Sequence, residues 1–305
     1  MKVYMHGEQL EQQMRATKVP QGCLAIWNLG QASALLQGPL RIQGPQTAMS
    51  HPPTAGTGGT FPGTTVLIDP YLTRQMEIRQ PDTEFVREYD APITPEQLAG
   101  VTVVLITHHH DDHLDIDTLT RLHAASPSTT FVVPAPHVHL LTDANIRPDV
   151  VIAATAGEKL TVGEVSILPV AAAHTTYETD EKGEHLYLGY VVNVGDVLVY
   201  HSGDTVVTDK LLSDLDGIRP QIAMLPINGQ DYFRSGRNIV GNMGMRDAVQ
   251  LALRIRADML WPNHYDMFPN NRENPAFMVD YIFQQHRHLK FHMAAVGERF
   301  IYLAD

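Results

Sequence analysis

The feature that most constrains this chain is a run of nine residues, 107–115, that places four histidines and three aspartates in one short segment. Alternate residues leaving a strand share a direction, so the spacing His-x-His-x-Asp-His can present its donors in two sets. His108 and His110 can face one metal ion, and Asp112 and His113 can face a second. Imidazole and carboxylate suit zinc, manganese or iron, and their softness does not choose among these metals. The segment therefore predicts a metal site.

This motif lies between a predicted strand and a predicted helix. Residues 101–106 are a β-branched apolar run, typical of a strand that is buried on both faces. After the motif, apolar residues recur at helical spacing, and Asp115 or Asp117 can cap the first turn. Ligands of open α/β sheets gather outside the carboxyl ends of strands, so a catalytic site is expected in this loop.

Three later predicted strands each end at one further candidate ligand. Residues 165–170 lead to His174, residues 197–200 lead to Asp204, and residues 259–262 lead to His264. A single histidine after a strand is more often a hydrogen-bonded structural residue than a metal ligand. Three such donors in addition to the first motif favour a metal site over a polar surface turn.

The order of these candidate ligands resembles the metallo-β-lactamase superfamily, in which His-x-His-x-Asp-His is followed by a histidine, an aspartate and a final histidine. The resemblance extends from about Ala25 to Tyr302. It implies an α/β fold, an αββα sandwich with a dinuclear metal site at the strand ends. It also implies how two divalent ions, manganese or zinc, share the ligands: His108, His110 and His174 on one ion, Asp112, His113 and His264 on the other, and Asp204 as the bridge.

Further residues resemble one branch of this superfamily, the L-ascorbate-6-phosphate lactonases, also called UlaG-like. The matching features are the turn His201-Ser202-Gly203-Asp204, the pair Asn228-Gly229, Arg237, Met243 and the end His264-Tyr265-Asp266. This resemblance implies that the protein opens the lactone of a phosphorylated sugar acid, with manganese. The chain departs from the branch in the loop after Leu40 and between Arg234 and Gly244.

Two residues argue against other members of the superfamily. Flavodiiron proteins carry glutamate at the position of His110, so diiron oxygen reduction is disfavoured. β-Lactamases commonly use a cysteine ligand, whereas the single cysteine of this sequence, Cys23, lies far from every motif. Antibiotic hydrolysis is therefore not expected.

Composition agrees with one catalytic domain. A chain of 305 residues with 44% apolar residues can bury a large core, so we expect a single domain over residues 1–305. Residues 1–20 are expected to form an N-terminal helical extension with Leu10 and Met14 on its apolar side, which could dock on a partner subunit of a homo-oligomer. Residues 39–65 are rich in Gly, Pro and Thr and predict a mobile loop insertion, either a plain surface loop or a substrate lid.

Charge patterns narrow the class of partner. With 34 acidic and 22 basic residues the formal net charge is −12, which gives no general attraction to nucleic acid or to anionic membranes. A single cysteine allows no intrachain disulfide and fits a reducing cytoplasm. We expect no signal segment and no membrane span, because no apolar run approaches the ~20 residues that cross a bilayer. The expected partner of this cytoplasmic protein is a small-molecule substrate.

The implied mechanism follows from the charge of two metal ions. Ions bridged by Asp204 can share a water and lower its pKa to roughly neutral, so that a metal-bridging hydroxide becomes the nucleophile. Asp112 has a second oxygen that can orient this nucleophile and later return a proton to the leaving oxygen. Asp69, Asp115 and His201 are expected to hydrogen-bond to the ligand imidazoles, and His201 could instead contact the substrate.

Substrate recognition is expected in residues 228–238, which precede a predicted helix. The candidate substrate-binding residues are Arg234, Arg237, Tyr232 and Asn263. The two arginines could clamp a phosphate beside the backbone N–H groups of residues 241–244, at the start of a predicted helix. Their alternative role is surface pairing with Asp231 or Asp247.

Three functions fit these observations. The favoured one is hydrolysis of a lactone or ester of a small phosphorylated sugar acid. The alternative enzyme is a phosphodiesterase of the same fold that acts on a small nucleotide or a phospholipid head group with the same nucleophile. A non-enzymatic binding protein is disfavoured, because all seven ligand positions carry ligand residues.

Overall fold

Two β-sheets packed face to face form the centre of the molecule. The computed structural model describes residues 3–40 and 61–304. The strands in these ranges are β1 (Cys23–Gly30), β2 (Ser33–Leu40), β3 (Gly63–Ile68), β4 (Val103–Leu105), β5 (Thr130–Pro134), β6 (Val151–Ala154), β7 (Leu160–Val162), β8 (Val165–Ala171), β9 (Leu188–Val194), β10 (Val197–His201), β11 (Ile222–Pro226), β12 (Met259–Asn263), β13 (Lys290–Phe291) and β14 (Arg299–Leu303). The α-helices are α1 (Gly7–Ala16), α2 (Gln75–Arg79), α3 (Ile116–Ala125), α4 (Val138–Asp143), α5 (Asp209–Asp214), α6 (Tyr232–Ser235), α7 (Met245–Arg254) and α8 (Ala276–Gln285).

The two sheets repeat one pattern of strand directions. The first has the order β14-β1-β2-β3-β4-β5-β6, and the second has the order β13-β12-β11-β10-β9-β8-β7. In each sheet three antiparallel pairs adjoin three parallel pairs. Because parallel strands end at the same edge, the loops after β3 and β4 gather in one sheet and those after β10 to β12 gather in the other.

Strand residues alternate between two hydrophobic layers, as the period of two requires. In β1, Leu24 and Ile26 face the core between the sheets, whereas Ala25 and Trp27 face the helices. Helices α1, α3 and α4 cover the outer face of the first sheet. Helices α5, α7 and α8 cover the outer face of the second sheet. The order of layers is helix, sheet, sheet, helix, so the predicted αββα sandwich is confirmed.

The N-terminal helix is used within its own chain. Helix α1 confirms the helix predicted in residues 1–20, and Leu10 and Met14 lie on its buried side. Both side chains are fully buried in the layer that contains Trp27. The idea that this apolar side is free to dock on a partner subunit is therefore wrong. Over the described ranges, the structure contains no helix with the length and apolar content that crossing a bilayer requires.

The predicted loop insertion at residues 39–65 is shorter than expected at both ends. Leu40 still belongs to β2, Gly63 already belongs to β3, and the two residues are paired across the antiparallel ladder. Backbone pairing thus overrides the Gly and Pro content at these boundaries. Residues 41–60, the main part of the predicted insertion, lie outside the described residues.

Two hydrogen bonds tie the histidine-rich loop to the opposite sheet. The Tyr190 hydroxyl in β9 donates to the Ile106 carbonyl at 2.7 Å. The Leu188 N–H donates to the Thr107 carbonyl at 2.9 Å. Both acceptors follow β4 in the first sheet and immediately precede His108. The first ligand is therefore fixed with respect to both sheets.

We predict that Tyr190→Phe lowers the free energy of unfolding by about 1–3 kcal/mol, because the buried Ile106 carbonyl loses this donor. Urea unfolding measures the difference. Tyr200→Phe is the matched control, since Tyr200 is as deeply buried in the neighbouring strand β10 and its hydroxyl makes no hydrogen bond to the described residues. Equal losses in the two variants would contradict the role given to the Tyr190 hydroxyl.

Candidate metal centre

All seven predicted ligands meet at one edge of the sandwich, and three imidazoles form one side of the cluster. The loop after β4 supplies His108 and His110, and the segment after β8 supplies His174. The ring centroids lie 4.7 Å apart for His108 and His110, and 5.0 Å apart for His110 and His174. The centroids of His108 and His174 are 5.8 Å apart. These three rings are the set predicted for the first ion.

Two imidazoles and two carboxylates form the other side. Nε2 of His113 lies 3.3 Å from a carboxylate oxygen of Asp204 and 3.7 Å from one of Asp112. Nε2 of His264 lies 3.2 Å from Asp204 and 3.3 Å from Asp112. The two rings stack with an interplanar angle of 19° and a centroid distance of 5.4 Å. Each carboxylate therefore faces both imidazoles.

The donor atoms of the cluster fit metal ions. Two sets have all their donor atoms within 4.8 Å of one another: His108, His113 and Asp204, and Asp112, His113 and His264. Within the described part of the chain, three buried atoms on residues of the first of these sets lack a hydrogen-bond partner: His108 Nε2, His113 Nε2 and Asp204 Oδ1. Buried polar atoms are normally paired. Unpaired imidazole nitrogens and a carboxylate oxygen at one point suit a divalent cation.

One of these two sets agrees with the predicted division of ligands between two ions, and the other does not. Asp112, His113 and His264 are the set predicted for the second ion. The other set joins His108, predicted for the first ion, to His113, predicted for the second, and to Asp204, the predicted bridge. The assignment of His110 and His174 to the first ion stays a prediction.

Electrostatics separates the two sides of the cluster. Burial lowers the pKa of His113, but Asp204 and the neighbouring carboxylates outweigh burial and hold this pKa well above its ordinary value. The same balance raises the pKa of His264 to about 9. Burial and neighbouring imidazoles hold the pKa of His108 well below its ordinary value and lower that of His110 to about 3. Positive charge is favoured beside the carboxylates, and the neutral imidazole that binds metals is favoured on the other side.

Asp69 orients two of the ligands from the loop after β3. Its Oδ2 atom lies 2.8 Å from Nδ1 of His113 and accepts the Thr107 hydroxyl at 2.7 Å. Its Oδ1 atom accepts the Thr107 N–H at 2.8 Å. The same hydroxyl oxygen is 3.0 Å from Nδ1 of His108. The structure thus places Asp69 where a carboxylate can fix ligand imidazoles through their second nitrogen.

Gly203 and His201 shape the turn that presents Asp204. Gly203 has φ +59°, and a Cβ atom there would lie 2.8 Å from Cβ of Thr107. Nδ1 of His201 accepts the Gly203 N–H at 3.2 Å, and its Nε2 donates to the Ala32 carbonyl at 2.9 Å. The structure corrects both roles expected for His201. Its fully buried ring supports the backbone of the turn and touches neither a ligand imidazole nor the substrate cavity.

Asp115 also differs from its expected role at an imidazole. Its side chain caps α3 by accepting the Thr118 N–H at 3.1 Å, as one of the two predicted caps. It further accepts the Thr118 hydroxyl at 2.7 Å and the Thr73 N–H at 2.9 Å. Capping and loop contacts thus occupy both carboxylate oxygens, because orphan N–H groups at the helix start lie closer than any imidazole.

A cavity of about 210 Å³ opens over the cluster. Five of the ligands reach it: His110, Asp112, His174, Asp204 and His264. Its other lining residues are Met76, Gln80, Phe85, Asp111, Asn238, Val240 and Asn271. No arginine or lysine of the described residues lines it. Residues 77–88 carry alternating charges and few apolar residues, which is typical of an exposed segment, so the sequence does not predict Gln80 and Phe85 as cavity residues.

The two arginines of the predicted phosphate clamp are paired with carboxylates. Arg234 pairs with Asp231, which is the alternative considered from the sequence. Arg237 pairs with Glu84, and its Nε lies 3.2 Å from Oε1. The N–H groups of residues 242–244 donate to protein acceptors and form no free anion site. Both guanidinium groups are therefore paired with local carboxylates in this structure, and the two-arginine clamp is not formed.

The other two predicted substrate residues also lie away from the cavity. Tyr232 is 85% exposed on α6 and stacks edge-on against Phe233. Asn263 is buried at the end of β12, and its Nδ2 lies 3.4 Å from Nε2 of His201. Neither side chain lines the cavity over the cluster. The expectation that they donate hydrogen bonds near the leaving group is corrected.

Two residues outside every predicted set contact the ligands. The Tyr187 hydroxyl lies 3.4 Å from Nε2 of His110, and its ring centroid is 5.1 Å from that of His108. Burial raises the pKa of Tyr187 to about 12, so the hydroxyl keeps its proton at neutral pH. The side-chain nitrogen of Gln31 donates to Asp112 at 2.8 Å. Neither residue ends a strand in a ligand motif, so the sequence pattern gave no signal for them.

The sequence is similar to that of known hydrolases over most of its length. The family model for a beta-lactamase superfamily domain matches residues 64–265. A UPF0173 metal-dependent hydrolase of Archaeoglobus fulgidus is 30% identical over 218 residues, which are 69% of this chain and 80% of that protein. Another, from Koribacter versatilis, is 29% identical over 228 residues, 72% of this chain and 84% of that protein.

Solved structures share the fold at lower sequence identity. Igni18, a metallo hydrolase from Ignicoccus hospitalis, has a TM-score of 0.60 at 18% identity and covers 92% of this chain and 98% of its own. An isothiocyanate hydrolase from Delia radicum gut bacteria has a TM-score of 0.65 at 18% identity and covers 92% of this chain and 100% of its own. These likenesses concern the architecture.

We predict that Asp69→Asn lowers metal affinity about 10–100-fold, because the amide presents a donor to Thr107 or to His113 where the carboxylate accepts. A chelator-competition titration with Zn²⁺ measures the affinity.

Asp115→Asn is the matched control, since this equally buried carboxylate also loses charged hydrogen bonds but contacts no described ligand residue. It should lower the free energy of unfolding and leave metal affinity at the parental value. Parental affinity in Asp69→Asn, or the same loss in both variants, would remove Asp69 from its proposed role.

Proposed function

Because the chain belongs to the beta-lactamase superfamily and, within it, to the UPF0173 metal-dependent hydrolases, we propose that its substrate is a lactone or carboxylic ester of a small sugar acid. The observation that carries this proposal is the position of Asp112. Its buried carboxylate lies at the floor of the cavity, among the candidate ligands and within reach of a small bound substrate.

The seven clustered side chains would hold two divalent ions, manganese or zinc. His108, His110 and His174 are proposed for one ion, Asp112, His113 and His264 for the other, and Asp204 for both. Such ions supply a nucleophilic water at neutral pH and polarise the scissile carbonyl. The unpaired nitrogens of His108 and His113 and the unpaired oxygen of Asp204 support this assignment.

Asp112 is the proposed catalytic acid and base. Burial raises its pKa, but His113 and His264 outweigh burial and keep this pKa below its ordinary value, so the group is a carboxylate at neutral pH. It can take the proton of the attacking water and return it to the alkoxide oxygen that leaves when the acyl C–O bond breaks. Hydrolysis then yields a carboxylate and an alcohol, and no protein nucleophile is required.

The size and lining of the cavity support a small substrate. Its volume of about 210 Å³ is below the roughly 300–1,000 Å³ of drug-sized ligand sites. Met76, Phe85 and Val240 form apolar walls, and Gln80, Asn238 and Asn271 supply amides that can bind hydroxyl groups. A sugar lactone has both kinds of surface. The nucleotide form of the phosphodiesterase alternative is less favoured, because a nucleotide is larger than this volume; a phospholipid head group stays the alternative substrate.

A phosphorylated sugar acid is the finer form of the proposal. Its phosphate would be bound by Arg237, whose side chain is about half exposed (51%) and pairs with the equally exposed Glu84. Both residues adjoin the cavity, because Asn238 and Phe85 next to them line it. Phosphate binding therefore requires that Arg237 exchange Glu84 for the substrate.

We predict that Asp112→Asn lowers kcat for lactone hydrolysis by a factor of about 10²–10⁴, because an amide cannot accept the proton of water. The assay follows acid release from sugar-acid lactones by the metal-loaded protein, with metal content measured in parallel. Asp117→Asn is the control, since this carboxylate is exposed on α3, lies 3.6 Å from Arg121 and does not line the cavity, and it should keep the parental kcat. A fully metal-loaded Asp112→Asn protein with parental kcat would exclude the proposed role.

We predict opposite effects of the two rim variants on a phosphorylated lactone. Arg237→Ala should raise its KM about tenfold, because a charge-assisted hydrogen bond contributes about 1.5–3 kcal/mol. Glu84→Gln should lower its KM, because Arg237 is released. The same lactone without phosphate is the control, and its KM should not change. Equal shifts for both substrates would rule out phosphate binding by Arg237 and leave the lactonase proposal intact.

A further inference from the structure

We propose that Gln31 is a positioning residue that holds Asp112 and His264, two ligands of the second metal ion, in a fixed relation across the two sheets. The inference rests on the proposed two-metal centre. Gln31 belongs to no ligand motif and contacts the site from the turn between β1 and β2.

The backbone of Gln31 is held in an uncommon conformation. Its φ is +53°, in the left-handed region that glycine adopts more readily, and only 5% of its surface is exposed. Such a conformation costs of order 1–3 kcal/mol in a residue with a Cβ atom and persists only where surrounding contacts determine it. The contacts of Gln31 must therefore stabilise this uncommon backbone conformation.

Three of these contacts go to the two ligands. The side-chain nitrogen of Gln31 donates to Oδ2 of Asp112 at 2.8 Å and lies 3.1 Å from Nε2 of His264. The main-chain carbonyl of Gln31 accepts the His264 N–H at 3.1 Å. Asp112 follows β4 of the first sheet, and His264 follows β12 of the second. One residue thus joins ligands that the fold delivers from opposite sheets.

The turn that carries His264 is anchored to Gln31 a second time. The Gln31 N–H donates to the Tyr89 hydroxyl at 3.4 Å, and this hydroxyl donates to Asp266 at 2.9 Å. His264 itself has φ +57°. Two strained turns are therefore braced against each other by backbone and side-chain hydrogen bonds.

The chemistry of a glutamine amide suits this place. One N–H group can serve the Asp112 carboxylate without adding charge, while the backbone carbonyl of Gln31 holds the His264 N–H and leaves the Nε2 lone pair of His264 for the metal. Oδ2 of Asp112, which accepts this amide, is also the atom 3.3 Å from Nε2 of His264. The amide consequently limits rotation of the carboxylate and sets the spacing of the donor atoms. Groups that orient metal ligands in this way commonly contribute 10–100-fold to metal affinity.

The test is a metal titration of Gln31→Met without substrate, in which Zn²⁺ binding is followed against a chelator. Methionine keeps the length and the Cβ atom of glutamine but removes the donor. We expect the first ion to bind with parental affinity and the second ion to bind about 10–100-fold more weakly. Gln31→Ala repeats the test if the methionine variant does not fold.

Asn28→Ala controls for loosening of the hairpin. Asn28 lies in the same hairpin and hydrogen-bonds to the Gly30 N–H and the Ala294 carbonyl at 2.9 and 2.8 Å. It contacts none of the ligand residues that the structure describes, so Asn28→Ala should bind both ions with parental affinity. A merely structural role of Gln31 would give the same metal affinities in both variants.

The outcomes separate this inference from the proposed function. Parental affinity for both ions in Gln31→Met would overturn the role of Gln31 and leave the two-metal centre standing. Equal weakening of the second ion by Asn28→Ala would also overturn it. Binding of a single ion by the parental protein would overturn the two-metal centre, and the inference with it.

Discussion

The burial of two carboxylates among five imidazoles is the constraint on which the rest of this structure depends. Removing Asp112 and Asp204 from water is costly unless each carboxylate is paired. His113 and His264 face both of them, and divalent ions would complete the pairing. The parallel halves of the two sheets bring six of these seven groups together, because their strands end at one edge from distant parts of the sequence, and the segment after the antiparallel strand β8 adds His174.

The backbone around the cluster is strained where the ligands are placed. Gln31, Asp69 and His264 all have positive φ values, from +42° to +57°. Each lies at the end of a strand or in a hairpin turn, and each is buried. The hydrophobic layers on both faces of each sheet supply the stability that allows such turns. Rigid strands thus position the site, and short strained turns aim its side chains.

Much of the fold and the ligand set could be predicted because their signals are local. Each apolar run that ends at a histidine or an aspartate predicts a strand and a possible donor, and His174 and His264 were predicted as ligands because the first motif already favoured a metal site. Other positions depend on contacts between distant segments. The Arg237 partner, Glu84, and the cavity wall at Phe85 come from a segment that reads as exposed. The position of Asp115 after the motif suits either a hydrogen bond to a ligand imidazole or a helix cap. In the structure its side chain caps α3.

The proposed function requires two metal ions at this cluster and a small lactone or ester as the substrate. The most direct measurement is the rate of sugar-lactone hydrolysis while metal-stripped protein is titrated with Mn²⁺ or Zn²⁺. We expect no hydrolysis without metal and a maximal rate once two ions are bound per chain. A full rate in the presence of excess chelator, or no hydrolysis of any lactone or ester with two ions bound, would contradict the proposed function.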